Sequence, residues 1–247
     1  MDDNLKPSSV DEDPIRDSNS NYAAMRDEFI ALGRALSESE SATIVPDCPA
    51  WTVRDVLAHV TGVNFDVIGG HVADLGSDLW TQGQVGSRAQ LSTDQVCDEW
   101  ESLAQRTTDF ISSEPFWGVR IGADLVTHIH DVLDALGRSD EMFEVARRDG
   151  AGIRSALSRY APFFCERAAT AGLPTVQVSA VPDETASQTW TSGDGAVTAE
   201  LSGSAFDLLR ALTGRRGVES VLAMDWEGDP TPYLAVVNPY GALKPGR

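Results

Sequence analysis

The chain has 247 residues, of which 42% are hydrophobic, so it can bury one large core or two modest ones. Its 38 acidic residues outnumber its 19 basic residues and give a formal net charge of −19. This charge argues against nucleic acid and anionic membranes as partners, because both require a basic surface on the protein.

The cysteines and the N-terminus favour a cytoplasmic protein. Cys48, Cys97 and Cys165 are odd in number and far apart, which is not the pattern of a disulfide framework. The first residues lack the positive charge and the apolar run of a signal peptide. No stretch of about 18 apolar residues could span a membrane. We therefore expect a reducing, cytoplasmic location and no membrane anchor.

The first helices follow a polar start. Residues 1–20 are polar and acidic, which predicts a disordered tail. From Tyr22 onward, apolar residues recur every three or four positions, and this period predicts a first helix. Thr52 and Asp55 have the spacing of a capping box, so we expect a second helix to begin there. That helix carries His59 beside its apolar stripe.

The remainder of the first half alternates between loops and helices. Loops are expected at 37–47, where no period is visible, and at 76–90, which is rich in glycine. Apolar residues at helical spacing predict three further helices. They are placed at Thr93–Ser113, at Gly118–Gly137 and at Glu141–Ala171, with a bend near Pro162.

The pattern changes at about residue 172, where apolar residues begin to alternate with polar ones. This change predicts a boundary between a helical bundle at 21–171 and a small α+β domain at 172–241, and the fold class is therefore α+β. The second domain is predicted to hold one helix, at Ser204–Gly214, and several strands. The strands are placed at Thr175–Val181, Ser187–Thr191, Ala196–Ser202, Val218–Trp226 and Tyr233–Val237.

The helix at Gly118–Gly137 carries the clearest candidate site. Asp124, His128 and Asp131 are spaced i, i+4 and i+7, so they share one helix face and border the apolar stripe. Burying two carboxylates and an imidazole without partners is costly. Either a bound metal ion or hydrogen bonds among the three would account for their position.

His59 on the second helix could complete a metal site with Asp124 and His128. Two imidazoles and one carboxylate suit zinc, and also Fe(II), Ni(II) or Mn(II) with less preference. Three protein ligands leave one position open, as in catalytic metal sites. Asp131 is placed to accept a hydrogen bond from a ligand or to act as an acid or base. Spacing alone is a weak signal, because helices also pair acids with histidines without a metal.

Two motifs of the helical half resemble the mycothiol-dependent maleylpyruvate isomerase family, within the DinB-like bundle superfamily. The run PAWTVRDVLAHV resembles the entry to that family's second helix, where His59 matches a metal histidine. The family's fourth helix carries Glu-x3-His-x2-Asp, which is matched here by Asp124, His128 and Asp131. Asp124 is one methylene shorter than the family's glutamate.

Two further motifs extend the resemblance over nearly all of residues 22–237. TQGQVGSRAQ places Arg88 at a family-typical arginine. LSGSAFDLLRALTGRR followed by WEGD resembles the family's sterol-carrier-protein-like C-terminal domain. The resemblance implies a DinB-like four-helix bundle followed by a small α+β domain.

The resemblance also implies zinc and mycothiol as cofactors and a small electrophile as substrate. A metal-bound thiol is deprotonated at neutral pH, so a nucleophilic thiolate is available. In the isomerase it adds to a conjugated double bond, a bond rotates, and elimination gives the trans product. In relatives the thiolate attacks other electrophiles and stays attached, as in an S-transferase.

Further assignments and two alternative functions complete the sequence-based hypothesis. Arg88 and Arg215 are proposed to anchor substrate carboxylates, and the protein is expected as a monomer or homodimer. The shorter Asp124 leaves open a non-catalytic binding protein on the same scaffold. A third hypothesis is a metal-dependent hydrolase. In it, water occupies the open position of the metal and Asp131 acts as the base.

Overall fold

The computed structural model describes residues 12–138, 140–141, 150–181 and 187–243. The chain divides into two compact units between Ser155 and Ala156. The first unit is mainly helical and the second contains a four-stranded sheet, which confirms the predicted α+β class. The division falls within a helix, whereas the sequence placed a boundary near residue 172, where strands replace helices.

The first unit begins with helices separated by two short paired strands. The strands pair antiparallel directly before the helix that carries His59. The elements are α1 (Glu12–Ala35), α2 (Glu38–Ser41), β1 (Ile44–Val45), β2 (Cys48–Thr52), α3 (Val53–Gly69), α4 (Asp78–Ser87), α5 (Thr93–Ser113) and α6 (Pro115–Ala135).

Four of these helices form the predicted bundle. Helices α1 and α3 each pack against both α5 and α6, so the four close around one core. Apolar side chains at helical spacing fill this core, because each helix buries one stripe. The fully buried members include Tyr22, Met25, Phe29, Val56, Leu57, Trp100, Leu125, Val126 and Val132.

Three parts of the first unit differ from the prediction. Helix α1 begins at Glu12, inside the expected tail, and residues 1–11 lie outside the described part. The apolar period starts only at Tyr22, but backbone hydrogen bonds can continue a helix beyond the residues that show such a period. The loop expected at 37–47 contains α2 and β1.

The loop expected at 76–90 contains helix α4. Ser77 caps the helix by accepting a hydrogen bond from the backbone N–H of Trp80. Gly83 and Gly86 lie inside it, and interior glycines each cost about 1 kcal/mol relative to alanine. The helix instead relies on its packing against α3, which residue preferences do not reveal.

The start of α3 matches the predicted capping box. The Thr52 hydroxyl accepts from the Asp55 N–H at 3.2 Å, and the Asp55 carboxylate accepts from the Thr52 N–H at 3.0 Å. Replacing Thr52 with alanine should lower the free energy of unfolding by about 1 kcal/mol, since it removes this cap. Urea titration followed by circular dichroism would measure the change.

A matched control for Thr52→Ala is Ser102→Ala on the exposed face of α5. The Ser102 hydroxyl donates to the Glu99 carbonyl at 2.6 Å but caps no helix. We expect its replacement to stay within about 0.5 kcal/mol of wild type. Equal losses in both variants would contradict the capping role of Thr52.

The second unit is built around a four-stranded mixed sheet. Its strands, from one edge to the other, are β4 (Gln188–Thr191), β3 (Val176–Ala180), β5 (Ala199–Gly203) and β6 (Asp225–Glu227). Strand β3 pairs parallel to β5, and the two outer pairs are antiparallel. The elements are α7 (Gly150–Thr170), which crosses the division between units, β3 (Val176–Ala180), β4 (Gln188–Thr191), β5 (Ala199–Gly203), α8 (Ala205–Leu212), α9 (Val218–Leu222), β6 (Asp225–Glu227), a 3-10 turn (Thr231–Tyr233) and α10 (Leu234–Val237).

Two predicted strands of the second unit are wrong. Val218–Trp226 forms helix α9 and only then strand β6, and Tyr233–Val237 belongs to the 3-10 turn and α10. Short apolar runs do not distinguish a strand from a helix by period alone. The strands expected at 175–181, 187–191 and 196–202 correspond to β3, β4 and β5.

Two remaining expectations concern α7 and the membrane. The helix predicted at 141–171 is described from Gly150 to Thr170 and contains Pro162, while 142–149 lie outside the described residues. Within the described ranges, every helix is too short or too polar to traverse a bilayer.

Candidate metal centre

His59 on α3 faces Asp124 and His128 on α6, where these two helices pack together. The Nε2 atoms of His59 and His128 each lie 3.6 Å from the same oxygen, Oδ1 of Asp124. The two imidazole rings are nearly perpendicular, at 81°, with their centroids 5.0 Å apart. The three residues predicted as metal ligands are therefore brought together from two helices.

The spacing of these three atoms suits a small divalent cation. Ligand atoms about 2.1 Å from a tetrahedral zinc ion lie about 3.4 Å from each other. The two nitrogen–oxygen distances are close to this value, and all three ligand atoms lie within 4.8 Å of one another. Imidazole and carboxylate are also the donors that zinc commonly takes.

Each histidine points its other nitrogen at an acceptor. His128 Nδ1 lies 3.1 Å from Oδ2 of Asp131, and His59 Nδ1 lies 2.8 Å from Oε1 of Gln84. A metal-binding histidine usually donates its second N–H in this way, which leaves a lone pair on Nε2 for the cation. Asp131 lies beside His128, as its spacing suggested, and its role as a hydrogen-bond acceptor or as an acid or base stays a prediction.

The charges around His128 stabilise its protonated form when no metal is bound. Burial lowers the pKa of His128, but the negative charge of Asp124, the hydrogen bond with Asp131 and the neighbouring Cys48 outweigh burial and raise this pKa to about 10. A cation that binds at neutral pH must therefore displace a proton from His128.

The burial of the site leaves one accessible side. His59, His128 and Asp131 are 3%, 5% and 1% exposed, whereas the side chain of Asp124 is 30% exposed. A cation held here would thus be shielded from solvent on the side of the imidazoles and accessible to solvent on the side of Asp124. Such an arrangement leaves room for a further ligand, as a catalytic site requires.

Cys48 provides a second possible donor set with His128 and Asp131. Its Sγ lies 3.9 Å from Oδ2 of Asp131, and the thiol is half-buried. A cation in this set would compete with the contact between His128 Nδ1 and Asp131. We therefore favour the set of His59, Asp124 and His128, which preserves that contact.

Trp51 and Gln84 belong to the site but were not predicted. The Trp51 ring lies 4.8 Å from the His59 ring and 6.3 Å from the His128 ring, measured between centroids. Its Nε1 atom is buried and has no hydrogen-bond partner among the described residues. Both residues lie inside the motifs PAWTVRDVLAHV and TQGQVGSRAQ, which was the signal available in the sequence.

Both predicted anchor arginines have hydrogen-bond partners within their own units. Arg88 caps the end of α4, and its guanidinium donates to both carboxylate oxygens of Glu99, at 2.9 and 2.5 Å. Arg215 belongs to the second unit, where it donates to the Thr213 carbonyl at 2.6 Å. Their roles in substrate binding stay predictions.

The comparison with known proteins concerns the helical part of the chain. Residues 22–120 match the family model described as the Mycothiol maleylpyruvate isomerase N-terminal domain, a range that includes His59 and ends four residues before Asp124. No curated protein and no solved structure matches the chain. Over residues 22–120, the chain is therefore similar to the N-terminal domain of the mycothiol maleylpyruvate isomerase family.

Proposed function

We propose that the protein is a metal- and mycothiol-dependent enzyme that adds the mycothiol thiol to a small electrophile. Zinc is the proposed metal, and His59, Asp124 and His128 are the proposed ligands. The observation that carries this proposal is the convergence of three ligand atoms from α3 and α6 within 4.8 Å of one another.

The proposed chemistry divides between the cation and the chain. A bound divalent cation would lower the pKa of the mycothiol thiol, so that a thiolate is available at neutral pH. His59 and His128 would bind the cation through Nε2, and Asp131 Oδ2, 3.1 Å from Nδ1 of His128, would keep that ring oriented. Asp124, whose side chain is 30% exposed, marks the side from which thiol and electrophile would approach.

The reaction class follows from the fate of the thiolate. Addition to a conjugated double bond, rotation and elimination would give an isomerase, whereas a retained adduct would give an S-transferase. The burial of Asp131 against His128 supports an orienting role and weighs against its acting as the base of a hydrolase.

The proposal is tested by metal content and thiol consumption together. We expect the zinc-reconstituted protein to retain one zinc ion per chain and to consume mycothiol with a member of a panel of electrophiles that includes maleylpyruvate. Chelation should stop the consumption, and restored zinc should recover it. His71→Ala, at an exposed histidine of the same unit, should behave as wild type.

Two results would overturn this assignment. A wild-type protein that retains no divalent metal after reconstitution would remove the metal site. A protein that binds zinc but consumes no thiol with any electrophile would support the non-catalytic alternative.

A further inference from the structure

Gln84 occupies a buried position between the candidate metal centre and Asp66. Its side-chain oxygen lies 2.8 Å from His59 Nδ1, and its side-chain nitrogen donates to Oδ2 of Asp66 at 2.8 Å. The residue is only 3% exposed, although α4 lies on the outside of the bundle. A polar side chain buried in this way needs both of its partners.

The direction of these hydrogen bonds fixes the proton on His59. The Asp66 carboxylate can only accept, so the amide nitrogen of Gln84 must face it and the amide oxygen must face His59. An amide oxygen also only accepts, and His59 Nδ1 must therefore carry the proton. When the ring binds a cation, its lone pair is therefore on Nε2, the atom 3.6 Å from Asp124 Oδ1.

The packing of α4 against α3 is close at this point. Gly62 lies one turn beyond His59, and a Cβ atom added there would sit 2.5 Å from the Cβ of Gln84 and 2.7 Å from its Cγ. Real Cβ contacts are not this short, so any larger residue would push α4 outward. The absence of a side chain at Gly62 is what lets Gln84 reach His59.

We propose that Gln84 is a positioning residue that holds His59 as the Nδ1–H tautomer and so presents Nε2 to the cation. Asp66 in turn orients the Gln84 amide. The consequence for metal binding rests on the proposed function, but the tautomer of His59 can be observed without any metal.

The first test removes the acceptor with Gln84→Leu. We expect zinc affinity, measured by competition with a chromophoric chelator, to fall between about tenfold and a hundredfold, the usual effect of losing such a partner. Long-range proton–nitrogen NMR of the metal-free protein should show His59 protonated on Nδ1 in wild type and a mixture of tautomers in the variant. Gln105→Leu is the matched control, because Gln105 is exposed and donates to Asp109 at the same 2.8 Å.

The second test reverses the direction of the hydrogen bond between positions 84 and 66 and keeps that between His59 and position 84. Gln84→Glu combined with Asp66→Asn places a carboxylate at position 84, where it accepts from His59. The new amide at position 66 donates to that carboxylate. Every hydrogen bond is then kept, and we expect zinc affinity within about threefold of wild type. Gln84→Glu alone puts two carboxylates in contact and should bind zinc more weakly than the double variant.

The outcomes separate this inference from the proposed function. If wild type binds zinc and Gln84→Leu binds it equally, the positioning role is wrong. If wild type binds no zinc, the proposed function fails, and the NMR tautomer alone decides the role of Gln84. If Gln84→Leu does not fold, the double variant Gln84→Glu, Asp66→Asn decides the matter. Zinc binding tenfold weaker than in wild type would overturn the inference, and zinc binding within about threefold of wild type would support it.

Discussion

Replacement of Asp124 with alanine is expected to lower zinc affinity on the order of a thousandfold. Its Oδ1 atom is the one that both histidine Nε2 atoms face at 3.6 Å. Protein zinc sites gain roughly 10–16 kcal/mol, so one ligand of three or four contributes about 3–5 kcal/mol. Isothermal titration of the metal-free protein, or chelator competition if binding is tight, measures the change.

The fold should survive this substitution. The Asp124 side chain is 30% exposed, so its removal leaves no buried cavity, and His128 can release the proton that Asp124 helps to stabilise. Asp134→Ala is the matched control, because Asp134 is an exposed aspartate on the same helix. An Asp124→Ala variant that is folded and binds zinc as tightly as Asp134→Ala would remove Asp124 from the ligand set.

The second large effect concerns the pH dependence of stability in the metal-free protein. The pKa of His128 is raised from 6.5 to about 10, so the native state keeps a proton that the unfolded chain loses. The stabilisation is complete below pH 6.5 and is lost as the pH rises through about 10. Between these limits, His128 should lower the free energy of unfolding by up to about 1.4 kcal/mol per pH unit.

The comparison of wild type with His128→Gln isolates this contribution. Cys97 and Cys165 have thiol pKa values raised by burial to about 11 and 12, so they also destabilise the native state as the unfolded thiols ionise. Both proteins share that effect, and it cancels in the difference. Urea unfolding in chelator at pH 6, 8 and 9.5 should show the gap between them narrowing, and parallel curves would contradict the assigned pKa.

The parts of the structure set by local spacing were predictable. The cap at Thr52 and Asp55 and the bounds of α5 at Thr93–Ser113 depend on residues within one or two turns. The shared face of Asp124 and His128 follows from helical geometry alone. The encounter with His59 required a second helix, and the family resemblance supplied the pairing that periodicity could not.

The parts set by packing between distant residues were not predictable. Helix α4 contains two glycines and was expected as a loop, so the contact between Gln84 and His59 could not be foreseen. Arg88 was expected to bind substrate because the resemblance placed it at a family-typical arginine, and that role stays a prediction. Its partner, Glu99, is fixed only when α4 and α5 are both in place.

The two carboxylates beside His128 also determine the electrical balance of the centre. With both imidazoles neutral, Asp124 and Asp131 supply two negative charges, which offset the two positive charges of a divalent cation. An incoming thiolate would then join a centre without net charge and would feel less attraction than at a site built from neutral ligands alone. Such a thiolate would be held more loosely, which would suit the reversible addition to carbon that an isomerase requires.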